Sequence, residues 1–304
     1  MENQSNQTRQ RRAAKKLKMG VIGFVLLAMM TAALTGCGES GGDADKILAT
    51  SPATAATPAE TPPDFITIKD EQYSTSLTEL DLDSQDLSDA DIEPLRHMTN
   101  LTSLILGGNN ISDLSPLAGL TELTLLALNY NNINDISPLS GLTKLTELYL
   151  YNNFIISDIS PLSELTGLTT LHLYNNNISN INPLSGLTSL ISLDLAENNI
   201  SDINSLSGLT GLTELWLEVN NISDISPLSK LTALTLLHLY SNNISDLNPL
   251  AELTALTELA LHDNNISDIS PLSGLTTLME LSLDDNNITN WLPVSHVEDV
   301  YGRP

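Results

Sequence analysis

The stretch Asn264–Thr276, "NNISDISPLSGLT", returns almost unchanged from Asn220 and, slightly altered, from Asn198 and Asn109. Aligning the chain on that phrase gives one template, L-x-x-L-x-L-x-x-N-x-I-x-x-I-x-x-L-x-x-L-x-x, whose first Leu falls at 77, 101, 123, 145, 168, 190, 212, 234, 256 and 278. The period is 22 residues, and it slips twice: two extra residues precede Ile92, and Phe154-Ile155-Ile156 holds one too many. A unit this short cannot bury an apolar face on its own, so each coil must stack on the next, and the fixed period predicts a solenoid with one continuous core. Stacked Leu and Ile need little aromatic bulk, which reconciles 41% apolar content with only three Phe and two Trp.

The parts of one coil follow from the pattern. Positions three to seven, such as Glu214-Leu215-Trp216-Leu217-Glu218, alternate outward and inward as a half-buried strand does. Ten such strands, stacked in parallel about 4.8 Å apart, make a sheet on the order of 45 Å long. The Asn at position nine (109, 131, 153, 176, 198, 220, 242, 264, 286) ends each strand, where its amide can both donate to and accept from backbone groups of neighbouring turns. Ser-Pro-Leu, as at Ser226-Pro227-Leu228, predicts a hydroxyl cap and a short helical turn on the opposite side. The expected fold class is an α/β solenoid, a leucine-rich-repeat horseshoe with a parallel concave sheet and short 3-10 or turn segments on its convex side. The repeats span 77–290. Residues 64–76, with Ile66, Ile68 and Tyr73, read as an N-terminal cap, and 291–304, with Trp291, Leu292, Val294 and Val297, as a C-terminal cap and tail.

Ahead of the repeats the chain changes character. Arg9, Arg11, Arg12, Lys15, Lys16 and Lys18 are half of the 12 Lys and Arg in the protein, and the uncharged apolar run Met19–Leu34 follows them. A basic stretch, then an apolar stretch too short for a comfortable span, reads as an export signal. Leu34-Thr35-Gly36-Cys37 resembles the bacterial lipoprotein signal L-x-[GA]-C, and Cys37 is the only cysteine in the chain. The resemblance implies cleavage after residue 36 and lipid on the Cys37 thiol, a palmitate-type acyl anchor to the outer face of a bacterial cytoplasmic membrane. Residues 37–63, rich in Ala, Thr, Pro and Gly, read as a flexible tether. Removing 1–36 takes away six positive charges and one negative, so the formal charge moves from −25 to −30. Such an acidic surface argues against nucleic acid as a partner.

The repeat relaxes on one surface. Template position five reads Asp81, Ile105, Ala127, Tyr149, His172, Asp194, Trp216, His238, Ala260, Ser282, and position seven reads Asp83, Gly107, Asn129, Tyr151, Tyr174, Ala196, Glu218, Tyr240, His262, Asp284. These columns collect four of the seven Tyr, three of the five His and one of the two Trp, on what the strand alternation makes the open face. An exposed aromatic patch rimmed by acids predicts a binding site, with Tyr149, Tyr151, His172, Tyr174, Asp194, Trp216, Glu218, His238, Tyr240 and His262 as its contact residues. His238 and His262, near Glu218 and Asp284, raise the question of a metal, but surface His without a fixed outer shell is usually just solvated, and the expectation is no metal and no cofactor. Asp81, Asp83, Asp86, Asp89 and Asp91 crowd the first coil without the loop spacing and glycine turn of a calcium site, and read as a polar cap. The seven Asn-Ile-Ser/Thr triplets follow from the repeat itself. No G-x-S-x-G elbow, phosphate-binding Gly loop or H-E-x-x-H is present in the sequence, so the reading is a protein that is not an enzyme.

The 22-residue unit, the N-x-I-S-D-I-S-P-L-S-G-L-T phrase and the acidic balance together resemble the internalin-type repeats of bacterial surface proteins, over residues 77–290. The resemblance implies a concave sheet that binds a protein at the cell surface or outside the cell. The lipid-type N-terminus departs from that family's pattern. The expectation is a monomeric, exported, membrane-anchored binding protein, with a glycan ligand on the same rings or a passive spacer as the alternatives.

Overall fold

The computed structural model describes residues 63–303. The basic and apolar leader, Cys37 and all of the tether except its last residue lie outside the described residues. Within them, eleven strands lie side by side in sequence order: β3 (Glu79–Asp81), β4 (Ser103–Ile105), β5 (Leu125–Ala127), β6 (Glu147–Tyr149), β7 (Thr170–His172), β8 (Ser192–Asp194), β9 (Glu214–Trp216), β10 (Leu236–His238), β11 (Glu258–Ala260), β12 (Glu280–Ser282) and β13 (Asp299–Tyr301). Every neighbouring pair is parallel and in template register, as in Asp194↔Trp216 and Trp216↔His238. The ladder runs past the strand ends, for Glu197 N–H donates to the Glu218 carbonyl at 2.9 Å and Val219 N–H to that of Tyr240 at 3.0 Å. The fold is the leucine-rich-repeat solenoid that the period predicts.

Each coil closes because apolar and polar positions have separate duties. In the coil beginning at Leu212, the side chains of Leu212, Leu215, Leu217, Ile222, Ile225, Leu228 and Leu231 are all buried, each contributing about 1.5–3 kcal/mol relative to exposure. Position eight then turns the chain out of the strand: from Ser84 and Gly108 to Asp285 it holds a left-handed backbone, φ between 52 and 65. Even Val219 adopts it, against the steric preference of a β-branched residue. That turn aims the next residue, Asn, inward. Asn198 accepts the Ile178 N–H at 3.0 Å and donates to the carbonyls of Leu173, Leu195 and Ala196. One side chain thus satisfies backbone groups of two coils that would otherwise be buried unpaired.

On the convex side the short turns are 3-10 segments, such as Ser226–Lys230 with Pro at its second position. Here the expectation of a serine hydroxyl cap is corrected. The Ser226 N–H is taken by the Asp224 carboxylate at 2.8 Å, and the same Asp-x-Ser bond recurs at Asp113, Asp135, Asp158 and Asp268. The carboxylate two residues upstream supplies the capping acceptor, and those bonds hold Asp135, Asp158, Asp224 and Asp268 below the usual carboxylate range.

The ends differ from the repeat. At the first coil, β1 (Phe65–Ile68) and β2 (Glu71–Ser74) form an antiparallel hairpin that buries Ile66 and Ile68 in the core, while Lys69 Nζ at its turn donates to the Gln85 and Asp86 carbonyls. Acids of that coil are engaged internally: Asp89 accepts from Ser112 and Asp113, Asp86 from Asn110, and Asp91 from Ser88. At the far end Val294 and Val297 are buried and Trp291 packs partly on the core, but Leu292 is 75% exposed and does not cap. The eleventh strand, β13, was not in the ten-strand expectation. Val300 takes the inward position opposite Leu281, and Gly302 is required because a Cβ there would stand 2.5 Å from the Asp284 nitrogen.

Candidate functional site on the concave face

All ten residues expected to make contacts lie on the same face, and most of their rings touch. In column five Tyr149 meets His172 edge to face with ring centres 5.2 Å apart, His172 meets Trp216 at 6.0 Å, and Trp216 meets His238 at 6.4 Å. In column seven Tyr151 stacks on Tyr174 at 4.7 Å and Tyr240 stacks on His262 at 4.2 Å, and His238 joins the columns through Tyr240 at 6.3 Å. Parallel, in-register strands place the same template position of successive coils about 4.8 Å apart, so rings in one column meet without adjustment of the backbone. Polar partners in the next coil fix the imidazoles: His262 Nδ1 lies 2.6 Å from Ser282 Oγ, His238 Nε2 lies 2.8 Å from Glu258 Oε1, and His172 Nε2 lies 3.4 Å from Ser192 Oγ. With these partners the three His do not converge, and among the described residues no group of three or more His, Cys, Asp or Glu is placed to hold a metal ion.

Two features depart from the expected exposed patch rimmed by acids. Tyr151 is only 7% exposed, wedged between Tyr130 and Tyr174, so it belongs to the floor and not to the open surface. Asp194 and Glu218 lie in the middle, not on the rim. His172 and Trp216 belong to the coils on either side of Asp194 and approach each other across it. Protein therefore surrounds this carboxyl although part of it still reaches solvent, and desolvation pushes it up to about 7. Glu218 is pushed up to about 8, first by desolvation and then by the charge of Asp194, and its Oε2 is buried with no hydrogen-bond partner among the described residues. Desolvation also holds His172 down to about 4 and raises the phenols of Tyr149, Tyr151, Tyr174 and Tyr240 far above their ordinary range.

The column reading missed Tyr130, half exposed and edge-on to Tyr151 at 5.5 Å. It occupies position eight, a column that otherwise holds Ser, Gly, Asn, Glu, Val and Asp, and a lone aromatic there was the signal that could have found it. Gly107 opens column seven at the second coil for a steric reason, since a Cβ there would meet Asp83 Oδ1 at 2.7 Å and Asn129 Nδ2 at 2.9 Å.

Comparison with known proteins agrees with this architecture. The family pattern described as Leucine Rich repeats (2 copies) matches residues 121–164, 166–208 and 210–252, and that described as Leucine rich repeat matches 75–133. Among curated protein sequences none matches the chain. Among solved structures, an internalin (inlF) from Listeria monocytogenes is 32% identical with a TM-score of 0.62, over 77% of this chain and 90% of that one. The leucine-rich-repeat ectodomain of the plant receptor kinase GASSHO1/SCHENGEN3 from Arabidopsis thaliana, solved in complex with CASPARIAN STRIP INTEGRITY FACTOR 2, is 27% identical with a TM-score of 0.63, over 69% of this chain and 27% of that one. By its repeat phrase, its parallel one-coil strands and this likeness over nearly the whole of the internalin structure, the chain belongs to the internalin-type leucine-rich-repeat proteins.

Proposed function

We propose that this chain is a binding protein, not an enzyme, that recognises a protein partner through the concave sheet. The observation that carries the reading is the continuous run of touching rings from Tyr149 to His262, on the one surface where the repeat varies. Rigid aromatic side chains, already ordered by their neighbours, lose little conformational freedom on binding and are the usual anchors of protein interfaces. The plant ectodomain solved with its bound factor is a leucine-rich-repeat precedent for protein recognition. Cys37 anchors the chain at the outer membrane face, and the acidic, Pro- and Ala-rich stretch after it holds the repeats away from the lipid. Cys37→Ser should abolish lipid labelling and detergent-phase partitioning, and a mutant still labelled would remove the anchor from the account.

The binding test is a capture of surface proteins and, separately, wall polysaccharide with the full chain. Trp216→Ala and Tyr174→Ala should each weaken capture of the protein partner, with a central anchor costing about 2 kcal/mol, roughly thirtyfold in affinity. Convex substitutions Ser229→Ala and Thr254→Ala should change nothing. Retention of only polysaccharide would favour the glycan reading, and no retained ligand would favour a spacer.

A further inference from the structure

The charges of the concave face are one-sided. Positions three, five and seven of the ten coils hold ten acids and no Lys or Arg. The five basic residues within 63–303 all lie elsewhere: Lys69 at the hairpin turn, Arg96 and Lys230 on convex turns, Lys144 paired with Glu122, and Arg303 near the end of the sheet. Among the described residues no Lys or Arg is paired with Asp194 or Glu218. The aromatic positions skip a coil where these acids stand: Asp194 lies between His172 and Trp216 in column five, whose rings still meet across it at 6.0 Å, and Ala196 with Glu218 lie between Tyr174 and Tyr240 in column seven. Three coil spacings set Tyr174 and Tyr240 roughly 14 Å apart. Asp194 Oδ1 accepts the Ala196 N–H at 3.1 Å, and the Tyr240 phenol bonds Glu218. Glu218 Oε2, however, is buried with no hydrogen-bond partner among the described residues, and burying a carboxylate without a countercharge is costly.

We propose that Asp194 and Glu218 form the seat for a cationic side chain, a Lys or Arg of the partner protein, held between the rings of Trp216 and Tyr240. The inference rests on the reading of the concave face as a protein-binding surface and specifies what that surface takes. An ammonium or guanidinium there meets two carboxyls, which give charge-assisted hydrogen bonds, and aromatic faces, which attract cations. In the free protein a proton occupies each carboxyl over part of the neutral range, so the cation displaces protons as it enters. The other titratable groups facing the pair are Tyr151 in the floor, His172 and Tyr174 on the β7 side, Glu197 beside it, and His238 and Tyr240 on the β10 side. Glu197 adds further negative potential, which raises both acids.

The test uses tri-arginine amide, and tricitrulline amide of the same shape without the charge, titrated calorimetrically into the full chain. The parent should bind tri-arginine with release of protons, about tenfold or more tightly near pH 8.5 than near pH 6, and should not bind tricitrulline. Asp194→Asn with Glu218→Gln should weaken binding by about tenfold or more and abolish its pH dependence. Asp263→Asn with Asp285→Asn removes the same formal charge at exposed positions and should change affinity by less than about twofold. Should the double variant fail to fold, Glu218→Gln alone is read by the same criteria. Equal losses from the two pairs, or unchanged binding by the Asp194/Glu218 pair, would mean diffuse attraction to an acidic surface and would overturn the seat. The failures separate on the captured protein: if Trp216→Ala weakens its binding and Asp194→Asn with Glu218→Gln does not, the face binds without this seat. If neither weakens it, the concave-face reading fails as well.

Discussion

At the scale of the residue, Asn at position nine is the part most directly tied to the physics of buried polar groups. Asn198 closes four backbone bonds, whereas the Asn176 carbonyl oxygen, Oδ1, accepts none among the described residues. Asn198→Leu should therefore cost more than Asn176→Leu, by about 1 kcal/mol or more, since it strands one additional buried group. Urea midpoints of the two variants measure the difference, and equal losses would show that the side-chain oxygen contributes nothing. The Asn column was legible in the sequence because one residue type recurs at one position. The centre of the site was not. Asp194 and Glu218 look, in a column of letters, like any other polar residue on an open strand face, and only the approach of His172 to Trp216 shows that the first is covered.

The reason for the orphaned oxygen appears at the scale of the element. The Ile at position eleven normally gives its N–H to the Asn of the following coil, as Ile133 does to Asn153 and Ile178 to Asn198, and position ten gives its N–H back to the preceding Ile carbonyl. The extra residue at Phe154-Ile155-Ile156 breaks this arrangement. Phe154 takes a left-handed backbone with φ 63, donates instead to the Asn175 carbonyl at 3.3 Å, and leaves Phe154 and Ile155 largely exposed. Deleting Phe154 should restore both bonds and the period, and stabilise the protein by about 1–2 kcal/mol. A thermal melt of the deletion variant checks this, and a lower melting temperature would mean that the bulge supports the coil. The slip itself was visible in the sequence. The strand β13 was not, because its three residues offer a single inward apolar group, Val300, where the template calls for Leu. Nor was the Asp-x-Ser cap, since serine before proline reads equally well as the capping group itself.

For the molecule as a whole, the covered acids set the sign of the pH dependence. Folded Asp194 and Glu218, at about 7 and about 8, keep protons that unfolded carboxyls, near 4, release. The folded state thus binds more protons between about pH 4 and pH 8, and stability rises as pH falls through that window. His172, held to about 4 by burial against an ordinary value of about 6.5, opposes this below about pH 6.5. The gain therefore sets in below about pH 8.5, is steepest near about pH 6.5 to 7 and continues at about one proton's worth per pH unit below, until the capping aspartates of the convex turns, held under their usual range, begin to lose their bonds. Melting temperatures should be higher near pH 6.5 than near pH 8.5 by several degrees, about what 1–3 kcal/mol produces in a domain of this size. In Asp194→Asn with Glu218→Gln that rise should vanish. A parent protein that loses stability over the same descent in pH would contradict the burial of these two groups. The period predicts the solenoid because identical coils make every buried position recur, while the proposed binding surface lies where recurrence stops, and there a single sequence gives residue types without their depth.

The central claim is that the aromatic columns of the concave face contact the partner. Hydroxyl-radical footprinting of the full chain, alone and with the captured protein, measures this at named side chains. Trp216, Tyr174 and Tyr240 should be oxidised several-fold more slowly in the complex, a loss of reactivity expected for anchors at the centre of an interface. Trp291 and Tyr301, at the far end of the solenoid, should keep their rates and serve as internal controls. Protection of Trp291 and Tyr301 with Trp216, Tyr174 and Tyr240 unchanged would place the partner at the end of the sheet and contradict the account.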